Sequence, residues 1–247
     1  MKLSVVIPVH NEAGCIEKTV LNLVLHLRKA VVEFEILVVN DNSTDATAPV
    51  LERLSLEYPE VRRLCNPASK GFGLAVRTGL EAFSGDAAAI VMGDGSDSPE
   101  DVVRFFRKLE EGFDCVFGSR FMKGGYTRGY PVYKLILNRV VNQFIRILFG
   151  LTYNDTTNAF KMYRRKTIEG LRPFLSHHFN LTVELPLKAI TRGYSYAILP
   201  NGWTNRKTGT SKLALKEMGS RYLFIILYCL IEKWLSVGDY RKGTGER

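Results

Sequence analysis

The sequence lacks several features that would each commit it to a familiar class. No run of apolar residues approaches the roughly 20 needed to cross a bilayer as a helix. The longest uncharged stretch near the end, Tyr222–Ile231, has ten residues. The four cysteines (Cys15, Cys65, Cys115, Cys229) are far apart and form no C-x-x-C pair. That excludes a disulfide framework or a thiolate zinc site and points to a reducing compartment. The apolar run Leu3–Val9 is broken at once by His10, Asn11 and Glu12, so it reads as a strand rather than a signal peptide, and the chain is expected in the cytoplasm. No glycine follows it until Gly14. A G-x-G-x-x-G turn is therefore missing where a dinucleotide-binding domain needs the pyrophosphate to approach the backbone, which disfavours hydride-transfer chemistry. There is no internal repeat and no low-complexity linker.

What is present is an ordinary globular composition, 46% hydrophobic and 24% charged over 247 residues, with a net charge of +9. Such a balance favours anionic partners. Basic residues do not alternate with aromatics as in nucleic-acid binders, so no nucleic-acid partner is expected. The first half alternates strand and helix patterns. Leu3–Val9, Phe34–Val39, Val61–Leu64, Ala87–Met92 and Phe113–Phe117 read as strands. Ile16, Val20, Leu23, Val24, Leu27 and Val31 recur at helical spacing, and further helices are expected up to Glu57, over Gly73–Phe83 and over Pro99–Glu110. Repeated βα units predict an α/β fold with a mostly parallel sheet flanked by helices, binding ligands beyond the carboxyl ends of its strands. After Gly118 the pattern changes. Tyr133–Phe149 reads as an amphipathic helix, Leu181–Arg192 as another, Tyr194–Leu199 as a strand, and Tyr222–Ile231 as part of a last helix.

Polar clusters fall at the strand ends. Pro8-Val9-His10-Asn11-Glu12 closes the first strand. Asn40–Asp45 closes the second: Ser43 or Thr44 is the expected helix N-cap, and Asp45 suits the helix's positive end. This leaves Asp41 at the strand tip to accept hydrogen bonds from a base or ribose. Met92–Glu100 follows the fourth strand, with Ser98 and Pro99 starting a helix. Asp94 and Asp97, three apart beside glycines, suit a hard cation. Lys70-Gly71-Phe72-Gly73 precedes a helix and reads either as a phosphate-holding turn or as a plain glycine turn.

The segments VVIPVHNE, VVNDNSTD, NPASKGFGLAVRTG, VMGDGSDSPED, VFGSRF and NRKTGTSK stand in the order and spacing of family-2 glycosyltransferases with the GT-A fold. From about Leu3 to Lys212 the chain resembles the dolichyl- or polyprenyl-phosphate mannose synthase group. The resemblance implies that Pro8, His10, Glu12, Asp41, Lys70 and Asp94 bind a nucleotide sugar, a GDP- or UDP-linked hexose. His10 replaces the group's usual tyrosine. Asp94 matches the second aspartate of the D-x-D metal motif, and Met92 stands where the first belongs. A thioether is no ligand for Mg²⁺ or Mn²⁺, so Ser96 or Asp97 would complete the site, or the cation would keep more waters. Arg120 matches the arginine that grips the acceptor phosphate, and Lys134 and Asn138 match its helpers, Lys134 as a point charge in place of arginine. Arg206 and Lys212 match a loop that closes over the diphosphate. Asp155 matches an acceptor-side aspartate, with an Asx-turn as the competing reading. Glu184 reads as structural.

The catalytic set implied is thus Asp94, Arg120, Asp155, Arg206 and Lys212, transferring a hexose with inversion to a polyprenyl or dolichyl phosphate at the cytoplasmic face of a membrane. Two other readings stay open: transfer to a saccharide hydroxyl, with Asp155 as base, and an inactive nucleotide-sugar-binding scaffold. The expected organisation is a transferase domain over 1–212 with an interfacial helix near 133–149, a membrane-associating helix over 213–237, and a disordered tail over 238–247. A core or partner-subunit contact is the alternative for Tyr222–Ile231.

Overall fold

A computed structural model of the protein describes residues 1–205, 215–236 and 238–240. The chain opens with β1 (Lys2–Val9), α1 (Ile16–Lys29), β2 (Glu33–Asn40), α2 (Thr47–Glu57), β3 (Val61–Cys65), α3 (Phe72–Ala82), β4 (Ala87–Ile90), α4 (Pro99–Glu110) and β5 (Cys115–Ser119). It continues through β6 (Tyr126–Arg128), α5 (Val132–Phe149), β7 (Lys161–Arg164), α6 (Arg165–Gly170), α7 (Leu181–Thr191), β8 (Tyr196–Pro200), β9 (Gly202–Thr204) and α8 (Leu215–Leu235). The main sheet runs β3-β2-β1-β4-β7-β5-β8, and β6 pairs with β9 in a small second sheet. All neighbours in the main sheet are parallel except β7, which is antiparallel to both β4 and β5.

Strand alternation divides the core between the two faces. Leu3, Val5, Ile7 and Val9 of β1 pack with α1, α2 and α4 on one side. Val6, with Leu37 and Val39 of β2, faces α3, α5, α7 and α8 on the other. The strand order reverses between β1 and β4, so the loops after these strands border the crevice where open α/β sheets bind ligands. Gly93 makes that approach possible: a Cβ there would stand 2.5 Å from Val9 Cγ1.

The periodicity was followed closely in the first half, with local departures. Val31 lies outside α1, 88% exposed with φ +54°. Ser43 and Thr44 do not cap α2. Ser43 Oγ accepts the Asn11 N–H (3.0 Å) and Thr44 bonds the Asn11 side chain, while Asp45 Oδ1 accepts the Thr47 N–H (2.9 Å) at the helix start. Strands β6, β7 and β9 and helix α6 were not expected. α5 carries apolar residues on both of its sides. Its inner stripe is Asn138, Asn142, Ile145 and Phe149, while Ile136, Leu137, Val140, Phe144 and Ile147 face outward. α8 does not stand apart as an extension: Ile225, Ile226, Cys229 and Leu230 are buried in the same core as α7. Its other face exposes Leu223, Phe224, Leu227, Ile231, Trp234 and Leu235. Residues 238–240 of the expected tail form a turn. No helix among the described residues is long and apolar enough to cross a membrane.

Candidate functional site

Three strand-tip loops meet above β2, β1 and β4, and each contains a residue with left-handed backbone: Asn42 (φ +55°), Asn11 (φ +56°) and Gly95 (φ +72°). Asparagine and glycine tolerate this conformation best, and it turns the chain back over the sheet edge. Pro8 is buried, and His10, Asn11 and Glu12 are half-buried. His10 Nδ1 lies 2.8 Å from the Asp41 carbonyl. Nδ1 must therefore carry a proton, which turns Nε2 into the acceptor of the neutral ring.

Asp41 is 4% exposed and already engaged. Its carboxylate accepts Asn66 Nδ2 (2.8 Å) and the Gly71 N–H on both oxygens (3.1 and 3.0 Å). The sequence left this carboxylate free at the strand tip; the fold uses it to fix the Lys70-Gly71 turn at the start of α3. The turn is buttressed from below. A Cβ on Gly71 would meet the His177 carbonyl oxygen at 2.5 Å, and one on Gly73 would meet Ser176 O at 2.7 Å. Phe72 stacks on Phe179 with ring centroids 4.2 Å apart. Both glycines are thus required by close backbone approach. Lys70 projects from the turn, exposed.

The loop after β4 holds Asp94 half-buried, its Oδ1 accepting only the Ser96 N–H (3.1 Å) among the contacts within the loop. Asp97 turns the other way and closes the loop on the Met92 N–H (2.9 Å). Burial, with Asp94 and Asp101 nearby, pushes its carboxyl up to about 7 despite that bond. Ser96 Oγ is buried without a hydrogen-bond partner. Asp94, Ser96 and Asp97 therefore do not assemble as one ligand set, and no group of three His, Cys, Asp or Glu among the described residues could hold a metal. The donor set suits a Mg²⁺-like ion that keeps waters and phosphate oxygens and takes one protein carboxylate, Asp94, rather than a protein-only cage. β9 runs beside this loop, with the Thr204 N–H on the Ser96 carbonyl (3.3 Å). Arg206 and Lys212 follow β9 in sequence and lie outside the described residues.

On the acceptor side, Arg120 and Asp155 are brought together, 7% and 0% exposed. Arg120 donates Nε to Oδ2 (2.8 Å) and Nη2 to Oδ1 (2.7 Å), and its backbone N–H adds a third bond to Oδ2 (2.9 Å). The carboxylate raises the guanidinium pKa further, outweighing desolvation. The competing Asx-turn reading of Asp155 does not hold, since its carboxylate oxygens accept from Arg120 and only its backbone carbonyl takes the Asn158 N–H (3.0 Å). Its base role also loses support, because a buried carboxylate committed to three donors is no proton acceptor for a hydroxyl. The 154–158 loop ties this pair to α5, since Thr157 Oγ1 accepts Asn138 Nδ2 (2.9 Å) and Asn142 Nδ2 (2.8 Å). Lys134 is half-buried one turn earlier on α5, its Nζ over the Tyr133 ring.

Sequence reasoning passed over two cations here. Arg139 lies over the Phe121 ring at 4.6 Å, the ring that Arg120 also approaches at 5.2 Å. Lys161 of β7 is buried directly beneath the loop, donating to the Thr156 carbonyl (3.1 Å) and to that of Asn158. Only its place next to the Asn154–Phe160 segment could have singled it out. Glu184, read as structural, is fully buried and fixes the loop before α7, accepting the Leu175 and Ser176 N–H groups (2.8 and 2.7 Å) and Lys188 Nζ (2.6 Å).

The chain is 31% identical over 216 residues to a polyprenol monophosphomannose synthase of Mycolicibacterium smegmatis, covering 85% of this chain and 80% of that one. It is 29% identical over 223 residues to a dolichol-phosphate mannosyltransferase of Pyrococcus furiosus, covering 88% of this chain and 61% of the relative. Its fold matches the crystal structure of glucosyl-3-phosphoglycerate synthase from Mycobacterium tuberculosis, solved with Mn²⁺, uridine diphosphate and glucosyl-3-phosphoglycerate. That match has a TM-score of 0.69 at 21% identity and covers 94% of this chain and 79% of the other. The model of glycosyl transferase family 2 matches residues 4–172. The fold, the strand-tip loops and this match over more than half the chain lead to one conclusion: the chain belongs to glycosyl transferase family 2 and is a glycosyltransferase of GT-A-like fold.

Proposed function

We propose that the enzyme transfers a hexose, with inversion, from a nucleoside diphosphate sugar to a polyprenyl monophosphate at a membrane surface. The observation that carries the acceptor is the two-sided character of α5. One side is bonded through Asn138 and Asn142 to the loop that holds Arg120, and the other exposes Ile136, Leu137, Val140, Phe144 and Ile147. A helix of this kind can sink its apolar face into the headgroup boundary while its inner side meets a lipid-borne anion. The outward face of α8 adds Phe224, Leu227 and Trp234 to the apolar surface. The names of the two curated relatives point to the same acceptor class.

In this reading Pro8, His10, Glu12, Asp41 and Lys70 surround the nucleotide. Asp41 acts largely through the Gly71 turn, and Lys70 projects toward the donor phosphates. Asp94 would hold a divalent cation together with the diphosphate, and the cation would supply charge neutralisation there. Arg206 and Lys212 would close over the same diphosphate. Arg120, Lys134 and Asn138 orient the acceptor phosphate, with Asp155 holding Arg120 in place. A lipid monophosphate, with a second pKa of about 6, is mostly dianionic at neutral pH. Its oxygen attacks the anomeric carbon from the face opposite the diphosphate, which departs with the bonding pair. No proton need be removed, and orientation with charge stabilisation supplies the rate enhancement.

The test is incubation with individual GDP- and UDP-hexoses, with and without polyprenyl monophosphate, followed by mass spectrometry of the lipid fraction. A glycosyl phosphoryl lipid is expected. Glycosylation of a saccharide hydroxyl with the lipid untouched would overturn the acceptor assignment.

A further inference from the structure

The Arg120–Asp155 fork poses an electrostatic difficulty for an anionic acceptor. A guanidinium paired with a buried carboxylate at 2.7 and 2.8 Å forms a unit of zero net charge. Beneath it lies Lys161, 2% exposed, on the antiparallel strand β7 between Ile90 of β4 and Phe117 of β5. Its neighbours across the sheet are apolar, and the charged groups acting on it are Asp155 and Arg120. The ammonium spans the carbonyls of Thr156 and Asn158. Those residues flank Thr157, which grips α5. Asn158 also donates to the Gly118 carbonyl (3.0 Å) and to Asn201 Oδ1 (2.9 Å). The loop presenting Asp155 is thus pinned from below by a single cation.

We propose that Lys161 is a positioning residue for the acceptor: its buried ammonium anchors the 154–158 loop and gives the Arg120–Asp155–Lys161 cluster the net positive charge that an acceptor phosphate meets. The proposal rests on the phosphate-acceptor reading above. Lys161 touches no substrate and acts through the loop and through its field, which a low-dielectric interior screens weakly. Burial lowers its pKa to about 7, with Asp155 opposing and Arg120 reinforcing the shift. The cluster therefore loses its excess charge near neutral pH, whereas an arginine at this position would keep it.

The experiment measures binding of a short-chain prenyl monophosphate and of the matching prenyl alcohol by calorimetry, to the full chain carrying wild-type Lys161, Lys161→Met or Lys161→Arg. At pH 7, Lys161→Met should weaken phosphate binding at least about tenfold while leaving nucleoside diphosphate binding unchanged, and Lys161→Arg should restore it. Above pH 7, past the phosphate's own ionisation, wild-type affinity should fall with rising pH while Lys161→Arg stays level. Equal affinities with parallel pH curves would overturn the proposal. If Lys161→Met does not fold, the curves of wild type and Lys161→Arg decide alone. If the wild type prefers the phosphate no more than the alcohol, the acceptor reading has failed. The anchoring is then read by hydrogen exchange of the 154–158 amides, faster in Lys161→Met but not in Lys161→Arg if it stands, and unchanged if it does not.

Discussion

Replacing Asp155 with asparagine isolates the structural role of the carboxylate from any chemical one. The substitution keeps the shape and removes the charge, leaving a guanidinium 7% exposed without its counter-ion. Breaking a buried pair by removing one partner costs about 3–5 kcal/mol, most of it from the stranded charge. For a chain of this length, 1 kcal/mol moves Tm by about 2–4 °C, so a fall of roughly 6–20 °C is expected. Differential scanning calorimetry reads this directly. A double-mutant cycle of Arg120→Met, Asp155→Leu and the two together sharpens it: each single variant strands one charge of the pair, whereas the double variant removes both and leaves the Arg120 N–H without its acceptor. The double variant should be less destabilised than the sum of the single ones by at least about 2 kcal/mol. A Tm for Asp155→Asn within about 2 °C of wild type, or additivity around the cycle, would refute the pairing. A folded Asp155→Asn enzyme that also lost the acid-side limb of its pH–rate profile would return Asp155 to the role of general base.

Asp94→Asn should lower turnover at least about a hundredfold with Tm unchanged, because the side chain accepts one bond within its own loop while the reaction needs its charge; near-normal turnover would move the metal site elsewhere. Glu35 is buried, which by itself would raise its pKa, yet bonds from Ser4, Ser84 and Arg62 bring it down to about 2. Its contribution, up to about 3 kcal/mol, is complete above the ordinary carboxylate range and is lost as pH falls toward about 2, so urea melts of Glu35→Gln and wild type should differ at pH 7 and converge in acid. Ile136→Asp with Phe144→Asp should abolish flotation with anionic liposomes while nucleotide-sugar hydrolysis in solution persists; unchanged flotation would remove α5 from the membrane contact.

The sequence by itself determined the layered α/β frame of the first 119 residues. There, period-2 apolar strands alternate with period-3.6 helices, and each element's pattern reports a local choice of backbone and burial. It also determined that polar clusters end the strands, because a parallel sheet buried on both faces leaves its loops as the places where polar side chains can gather. What the tertiary structure decided is which of those polar groups are spoken for. Asp41, free on paper, is committed to Gly71; Asp97 folds back on Met92; Asp155 pairs with Arg120 across 35 residues. Such pairings join distant segments and leave no periodic trace. β7 was invisible for a related reason. Lys161-Met162-Tyr163-Arg164 begins and ends with cations, and nothing local announces that Lys161 will be buried. The direction of α5 was equally undecided by its sequence, since a helical wheel gives two faces but not which one meets the core. Thr157, arriving from outside the helix to bond Asn138 and Asn142, and the core that takes Ile145 and Phe149 together turn one stripe inward and leave Ile136, Leu137, Val140, Phe144 and Ile147 exposed.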